Sequence, residues 1–400
     1  MNSKNVNVVL YSLLRKKGNE LSSPDKDSLS NIIFFAKYKT LNKLGEGSFG
    51  KVYKAIYDDE FFALKMEDLS LQHSLLENEA AVLRYLQGPN IPKFETYGYN
   101  KEHNILVMQL LDKSLDDILT KLKTFSVKTT AMLGYQMINI LKYIHNKHII
   151  HRDVKPDNFV MGRKELNGTL YIIDFGLAKK YRSSRTLKQL PLTKRKSLTG
   201  TARYASIHAL QGYEQSRRDD LESVGYTLMY LLRGNLPWQS IKVQNKEEKY
   251  KKILNKKKTI SSKELGEGFP IEFAEILDYF KGLGYTENPD YETCCNKLLN
   301  VLQREKMKFD YIYDWTTYAN IKDRKKRPSQ LKDNKNYSKR NTNQTHYFED
   351  DDNEYNVNLK VEDIDDIDKK SDSNYSNRAN IDEFDSPGLN PKNETDCCIM

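Results

Sequence analysis

His151-Arg152-Asp153-Val154-Lys155-Pro156-Asp157-Asn158, followed sixteen residues after Asn158 by Asp174-Phe175-Gly176, gathers a base, a phosphate-facing lysine and two metal ligands in one short segment. Phosphoryl transfer from a nucleotide calls for that set. A carboxylate at Asp153, with an ordinary pKa of about 4, is a weak base, yet it can orient an attacking hydroxyl and take its proton late. Lys155, two residues on, can reach the transferring phosphate. Asn158 and Asp174 offer the hard oxygen ligands that suit magnesium. Any one of these triplets arises by chance in many proteins; the ordered set does not. His151 is read as orienting the loop, without a chemical role.

Upstream, Gly45-Glu46-Gly47-Ser48-Phe49-Gly50 is ambiguous alone. A dinucleotide site needs a helix directly after such a loop, whereas here the β-like run Val52-Tyr53-Lys54-Ala55-Ile56-Tyr57 follows. A strand–turn–strand flap over triphosphate oxygens is the better fit. Lys65 ends the run Phe61-Phe62-Ala63-Leu64, where a solitary cation would be costly. It should contact the nucleotide's phosphates and pair with a carboxylate on the next helix, marked by Leu75, Leu76, Val82, Leu83 and Leu86. Glu79 shares that face better than Glu77 does. Ile105 to Leu111 reads as a further strand. These pieces make a small β-rich lobe with one main helix.

Beyond Lys113 the pattern is mostly helical. Met132, Leu133, Gln136, Met137, Ile140, Leu141 and Ile144 mark a long amphipathic helix leading to His151. Asp219 to Leu232 forms a second helix, stopped by Gly234 and Pro237, with Asp220 expected to brace the catalytic loop. The fold class is therefore α+β. Residues 1–33 read as a flexible N-terminal extension, and residues 319–400, which are rich in Lys, Asn and Asp, as a disordered tail.

Charged residues make up 30% of the 400, and no apolar run approaches the ~18 residues of a membrane span. The four cysteines fall in two adjacent pairs, a poor disulfide framework, which suggests a reducing, cytoplasmic location with the nucleus also open. Residues 321–400 carry 14 Lys and Arg against 18 Asp and Glu, so the net charge of +9 resides in the body of the chain. A basic body suits acidic protein partners. With no recognition motif or interleaved aromatics, nucleic acid is not an expected partner. Cys397-Cys398-Ile399-Met400 fits a prenylation signal, making Cys397 and Cys398 candidates for lipidation and peripheral attachment to the cytosolic face of a membrane.

These residues resemble a eukaryotic protein kinase, and more narrowly the casein kinase 1 family. The narrower likeness rests on Leu198-Thr199-Gly200-Thr201-Ala202-Arg203-Tyr204-Ala205-Ser206-Ile207, on Gln215-Ser216-Arg217-Arg218-Asp219-Asp220-Leu221-Glu222-Ser223, on Leu236-Pro237-Trp238-Gln239 and on Tyr311-Ile312-Tyr313-Asp314-Trp315. It spans residues 34–318 and implies a bilobal protein-kinase fold, with an N-lobe over 34–111 and a larger, mostly helical C-lobe over 112–318. It also implies Mg-ATP as cofactor and transfer to serine or threonine of protein substrates. In that family the base matches Asp153 and the metal ligands match Asn158 and Asp174. The ATP pocket matches Leu44, the glycine loop from Gly45 to Gly50, Val52, Ala63, Lys65 with Glu79, Met108, Gln109 and Leu111. An anion site for acidic or phosphorylated residues before the target matches Arg203 and Lys249, with Lys196 as helper. Asp112, His208 and Ser240 depart from the family pattern and bear on specificity, leaving the catalytic groups in place. The rival reading is a pseudokinase scaffold, which would ordinarily lack one of those groups; this chain keeps them all.

Overall fold

Runs rich in aromatic and β-branched residues pair into one antiparallel sheet at the N-terminal side. Its strands are β1 (Ile33–Phe34), β2 (Tyr38–Gly47), β3 (Gly50–Tyr57), β4 (Glu60–Asp68), β5 (Phe94–Tyr99) and β6 (His103–Gln109), in the order β1-β2-β3-β4-β6-β5. The computed structural model describes residues 32–47, 50–69, 74–183, 185–194 and 197–316. The expected tail and nearly all of the N-terminal extension lie outside these, as do Ser48, Phe49, Lys196, Cys397 and Cys398. Ile33, read as belonging to that extension, pairs with Lys39.

Two features of the sheet differ from the expectation. Strand β6 stops at Gln109 rather than Leu111, because the chain leaves the sheet there to join the other lobe: Asp112 N–H donates to Met161 O (2.8 Å) and Met161 N–H to Lys113 O (3.0 Å). Strand β5, Phe-Glu-Thr-Tyr-Gly-Tyr, has no counterpart in the expected elements; its aromatic and polar residues alternate too weakly to announce a buried face.

Helix α1 (Leu75–Leu86) starts at Ser74, whose hydroxyl accepts from Glu77 N–H (3.0 Å), and buries Leu75, Leu76, Glu79, Val82, Leu83 and Leu86, the face that the periodicity marks. The larger lobe contains α2 (Leu115–Leu122), α3 (Val127–Asn146), α4 (Ile207–Leu210), α5 (Arg217–Arg233), α6 (Lys246–Thr259), α7 (Ser262–Leu265), α8 (Ile271–Gly282) and α9 (Tyr291–Arg304). Between α3 and α4 run two small antiparallel pairs, β7 (Ile149–Ile150) with β10 (Lys179–Lys180) and β8 (Phe159–Met161) with β9 (Leu170–Ile172). Helix α3 packs on α5 and α9, and α5 on α8. Each fully buried Leu or Met of this core contributes roughly 1.5–3 kcal/mol relative to exposure. One continuous core links Leu76 and Leu83 of α1, through Phe175, to Leu133, Leu228 and Leu298. The lobes are thus joined by packing as well as by chain, which fixes the cleft between them. Among the described residues no helix is long and apolar enough to cross a membrane.

Candidate active site

The loop from His151 to Asn158 crosses the cleft floor, and charge anchors it from below. Asp220, in the first turn of α5 and 2% exposed, accepts from the backbone N–H of His151 (2.7 Å) and Arg152 (2.8 Å) and from His145 Nε2 (3.0 Å). Burial alone would push its carboxyl up, but His145 and the loop donors outweigh it and hold the pKa below the usual carboxylate range. Arg152 adopts φ 68°, the left-handed region that costs a non-glycine residue about 1–3 kcal/mol. Its position is over-determined by Asp220 and by its Nε donating to Leu177 O (2.6 Å). His151 is fully buried, with Nε2 3.0 Å from Ile173 O and its ring edge-on to Phe175, so both the ring and the backbone of this residue are held in place.

This foundation presents Asp153 with both carboxylate oxygens engaged. Its Oδ2 takes a bond from Lys155 Nζ (2.6 Å), and its Oδ1 takes two from Thr201, through the backbone N–H (2.8 Å) and Oγ1 (2.7 Å). Lys155 Nζ also donates to Thr201 Oγ1 (3.2 Å), closing a triangle of carboxylate, lysine and hydroxyl. Gly200 makes this approach possible: it sits at φ +95°, and a Cβ there would lie 2.3 Å from Arg152 O. Asn158 directs its amide nitrogen to Asp153 O (2.9 Å) and Oδ2 (3.4 Å).

Across the cleft, Lys65 Nζ lies 2.6 Å from Glu79 Oε2 and 3.0 Å from Asp174 Oδ1. Burial works against the ammonium, but Asp174 and Glu79 overcome it and raise the Lys65 pKa, while burial pushes Glu79 up. Burial would likewise raise Asp174, yet the Lys65 charge leaves it lowered and ionised. Asp174 stands at φ 66°, ψ 69°, another left-handed non-glycine held by its surroundings. An amide oxygen and a carboxylate at Asn158 and Asp174 fit magnesium, which uses one or two protein oxygens and completes its shell with phosphates. Among the described residues no cluster of three or more His, Cys, Asp or Glu offers a closed metal cage.

The remaining candidates fall in two groups, those of the β-rich lobe and its exit and those on the larger lobe. Strand register sets Val52 opposite Lys65 and Ala63 opposite Met108. Gly45 pairs with Val52, Glu46 with Lys51 and Gly47 with Gly50, so the glycine flap is a β2–β3 hairpin rather than a loop before a helix. Gly50 is required there: at φ +124° its Cβ would stand 1.9 Å from Met66 O. Leu44 is exposed at the flap's edge, while Gln109 and Leu111 bracket the crossing between lobes and are half-buried. Arg203 lies on the loop before α4, its guanidinium 5.6 Å from the Tyr230 ring centroid and 5.7 Å from that of Tyr204. Lys249 is exposed in α6, which packs on α4, and lines a shallow pocket of about 500 Å³ with Gln239, Ile241, Lys242, Val243 and Gln244.

Three residues to which the sequence assigns no role help to build this site. Thr201 stands out in the sequence only as part of a family segment, although a hydroxyl two residues before Arg203 is there to be weighed. Asn78 donates its amide to the carbonyl oxygens of Phe175 (3.3 Å), Gly176 (2.9 Å) and Ala178 (3.1 Å), tying α1 to the segment that carries Asp174. Glu67, 1% exposed, accepts from the N–H of Leu75 (2.9 Å) and Leu76 (3.3 Å) and so caps the helix that carries Glu79. Its signal is the same as that of Lys65, a charge inside an apolar strand.

A family model described as protein kinase domain matches residues 38–308, from the start of β2 to just past the end of α9.

Proposed function

The chain belongs to the protein kinase family, and we propose that it is a catalytically active serine/threonine kinase of casein kinase 1 type, phosphorylating acidic or phosphate-primed protein substrates with Mg-ATP. Family membership brings ATP and phosphoryl transfer to proteins. The observation that carries the finer reading is the closed triangle of Asp153, Lys155 and Thr201 facing an intact Lys65–Glu79–Asp174 set. Asp153 is held where it can accept a hydrogen bond from a substrate hydroxyl and receive its proton as the bond to phosphorus forms. Lys155 offers a cation beside that base, to offset charge on the transferring group, and Lys65 offers a second on the nucleotide side. Asn158 and Asp174 would hold magnesium, which supplies charge neutralisation between the phosphates. The serine/threonine preference is drawn from the resemblance of the segments around Lys155 and Thr201 to the casein kinase 1 family.

Arg203 and Lys249, two cations on adjacent elements beyond Thr201, support the preference for phosphate or carboxylate before the target. Transfer from Mg-ATP to two serine peptides that differ only in a phosphoserine three residues before the target tests the whole reading. Strong preference for the primed peptide, lost with Asp153→Asn and weakened by Arg203→Ala, is expected. ATP binding without transfer to either peptide or to casein would replace it with the scaffold reading.

A further inference from the structure

Lys257 lies in the run Lys256-Lys257-Lys258 of α6, where both neighbours are exposed and it is 0% exposed. It shares the buried side of that helix and its end with Ile253 and Ile260. Lysine is almost never fully buried unless it is paired, yet among the described residues no carboxylate comes within ion-pair distance of it. Its ammonium is satisfied by backbone and by rings instead. Nζ donates to Ala202 O (3.2 Å) and to Ala205 O, and it sits 4.2 Å from the Tyr226 ring centroid and 4.9 Å from that of Trp238. Burial pulls its pKa down to about 7, against the more distant Glu222 carboxylate.

Both acceptors belong to the loop between Thr201 and Ile207, and the rest of that loop is held in a similar way. Trp238 Nε1 donates to Arg203 O (2.8 Å), Ser206 Oγ donates to Asp219, and Ile207 N–H donates to Glu222 Oε1 (2.9 Å). Tyr226, one of the two rings around Lys257, donates its own hydroxyl to Glu222 (2.8 Å). The loop begins at Thr201, which bridges Asp153 and Lys155, and carries Arg203.

We propose that Lys257 is a positioning residue for phosphoryl transfer, its buried amine fixing the Thr201–Ser206 loop so that Thr201 meets Asp153 and Arg203 is presented from one defined backbone. This rests on the serine/threonine kinase reading for its kinetic consequence, while the structural consequence stands by itself. Lys257→Met keeps the length of the side chain and leaves the carbonyls of Ala202 and Ala205 buried without a donor; Lys257→Arg keeps donors and charge.

The full chain is compared with both variants and with Trp238→Phe, by steady-state kinetics and by amide exchange. In Lys257→Met, kcat/KM for the peptide should fall about tenfold or more while KM for ATP stays within about twofold, and Lys257→Arg should recover part of the loss. The amides of Tyr204 and Ala205, which donate to Thr201 O at 3.0 Å, should exchange about tenfold faster while those of α3 are unchanged. Unchanged exchange at Tyr204 and Ala205 overturns the proposal whatever the kinetics. Equal losses toward ATP and peptide also overturn it, since they indicate general damage. If Lys257→Met does not fold, Trp238→Phe decides, with smaller changes in the same direction expected and none counting against. If the unaltered chain transfers phosphate to no peptide, the kinase reading fails, and the exchange comparison still rules on the loop.

Discussion

Thr201→Ala removes one hydroxyl from the centre of the cleft. That hydroxyl donates to Asp153 Oδ1 at 2.7 Å and accepts from Lys155 Nζ at 3.2 Å, while the Thr201 N–H keeps its own 2.8 Å bond to the same carboxylate oxygen. Hydrogen bonds to charged groups contribute roughly 1.5–3 kcal/mol each. The backbone tie survives and the longer Lys155 contact is the weaker of the two, so the net loss should lie near one such bond, about 2 kcal/mol. At about 1.36 kcal/mol per decade that is about thirtyfold in rate. The loss should appear in kcat, because the side-chain bonds of Thr201 go to Asp153 and Lys155, the proposed base and its lysine. Steady-state transfer to a serine peptide, with thermal melts to verify folding, measures it. Thr201→Ser restores the oxygen and should bring kcat to within about threefold of the original chain. A folded Thr201→Ala with kcat within about twofold, or a Ser variant no better than Ala, would refute the claim that this hydroxyl organises the base.

Asp220→Asn removes a buried charge that receives two loop amides and His145, and should lower unfolding free energy by about 3–5 kcal/mol in urea titrations, with activity falling through the displaced loop. His145 is 1% exposed and burial lowers its pKa from 6.5, so the unfolded chain binds a proton that the folded chain refuses. The His145 contribution is therefore full above about pH 6.5 and falls as pH drops below it, by at most about 1.4 kcal/mol per pH unit; in melts from about pH 7.5 to about 5.5, His145→Gln should lose less stability than the original chain, and burial of His148 and His208, which lowers their pKa values as well, leaves a remainder. The Asp220 contribution, from a depressed carboxyl, adds to the loss only below about pH 4. Gly50→Ala forces a methyl onto Met66 O at a left-handed φ, and should raise KM for ATP about tenfold through a displaced flap, read by ATP titration of initial rates.

The sequence makes legible which side chains stand together where they are close along the chain or share a periodic face. Asp153, Lys155 and Asn158 share one loop, and the pairing of Lys65 with Glu79 follows from the cost of a cation in an apolar strand and from helical period; the two stand 2.6 Å apart. Contacts between distant segments are not legible in that way. Asn78 reaches carbonyls 97 to 100 residues away, and Thr201 reaches a carboxylate 48 residues back. A side chain that bonds to remote backbone leaves no periodic trace, because the backbone it meets carries no residue-specific signal. The end of β6 escapes the pattern for a related reason: Leu110 and Leu111 are apolar enough for a strand, but their neighbours pair with the other lobe.

Lys257 shows how buried charge can mislead and then inform. Within three consecutive lysines it reads as a solvated face, and only its spacing from Ile253 and Ile260 places it inward. Four of the buried charges share a pattern of use. Glu67 holds the start of the helix that bears Glu79, Asp220 holds the two residues before Asp153, Glu222 holds Ile207, and Lys257 holds Ala202 and Ala205. Each fixes main chain, and each fixed segment lies within a few residues of a group assigned to the reaction. Apolar packing sets the distance between elements but tolerates sliding, whereas a charge-assisted bond to a backbone atom sets direction as well. An ionisable residue on an otherwise apolar stripe is costly enough that its retention asks for such a use. By that rule the burial of Glu67 and Lys257 singles them out as two supports of the cleft that no motif names.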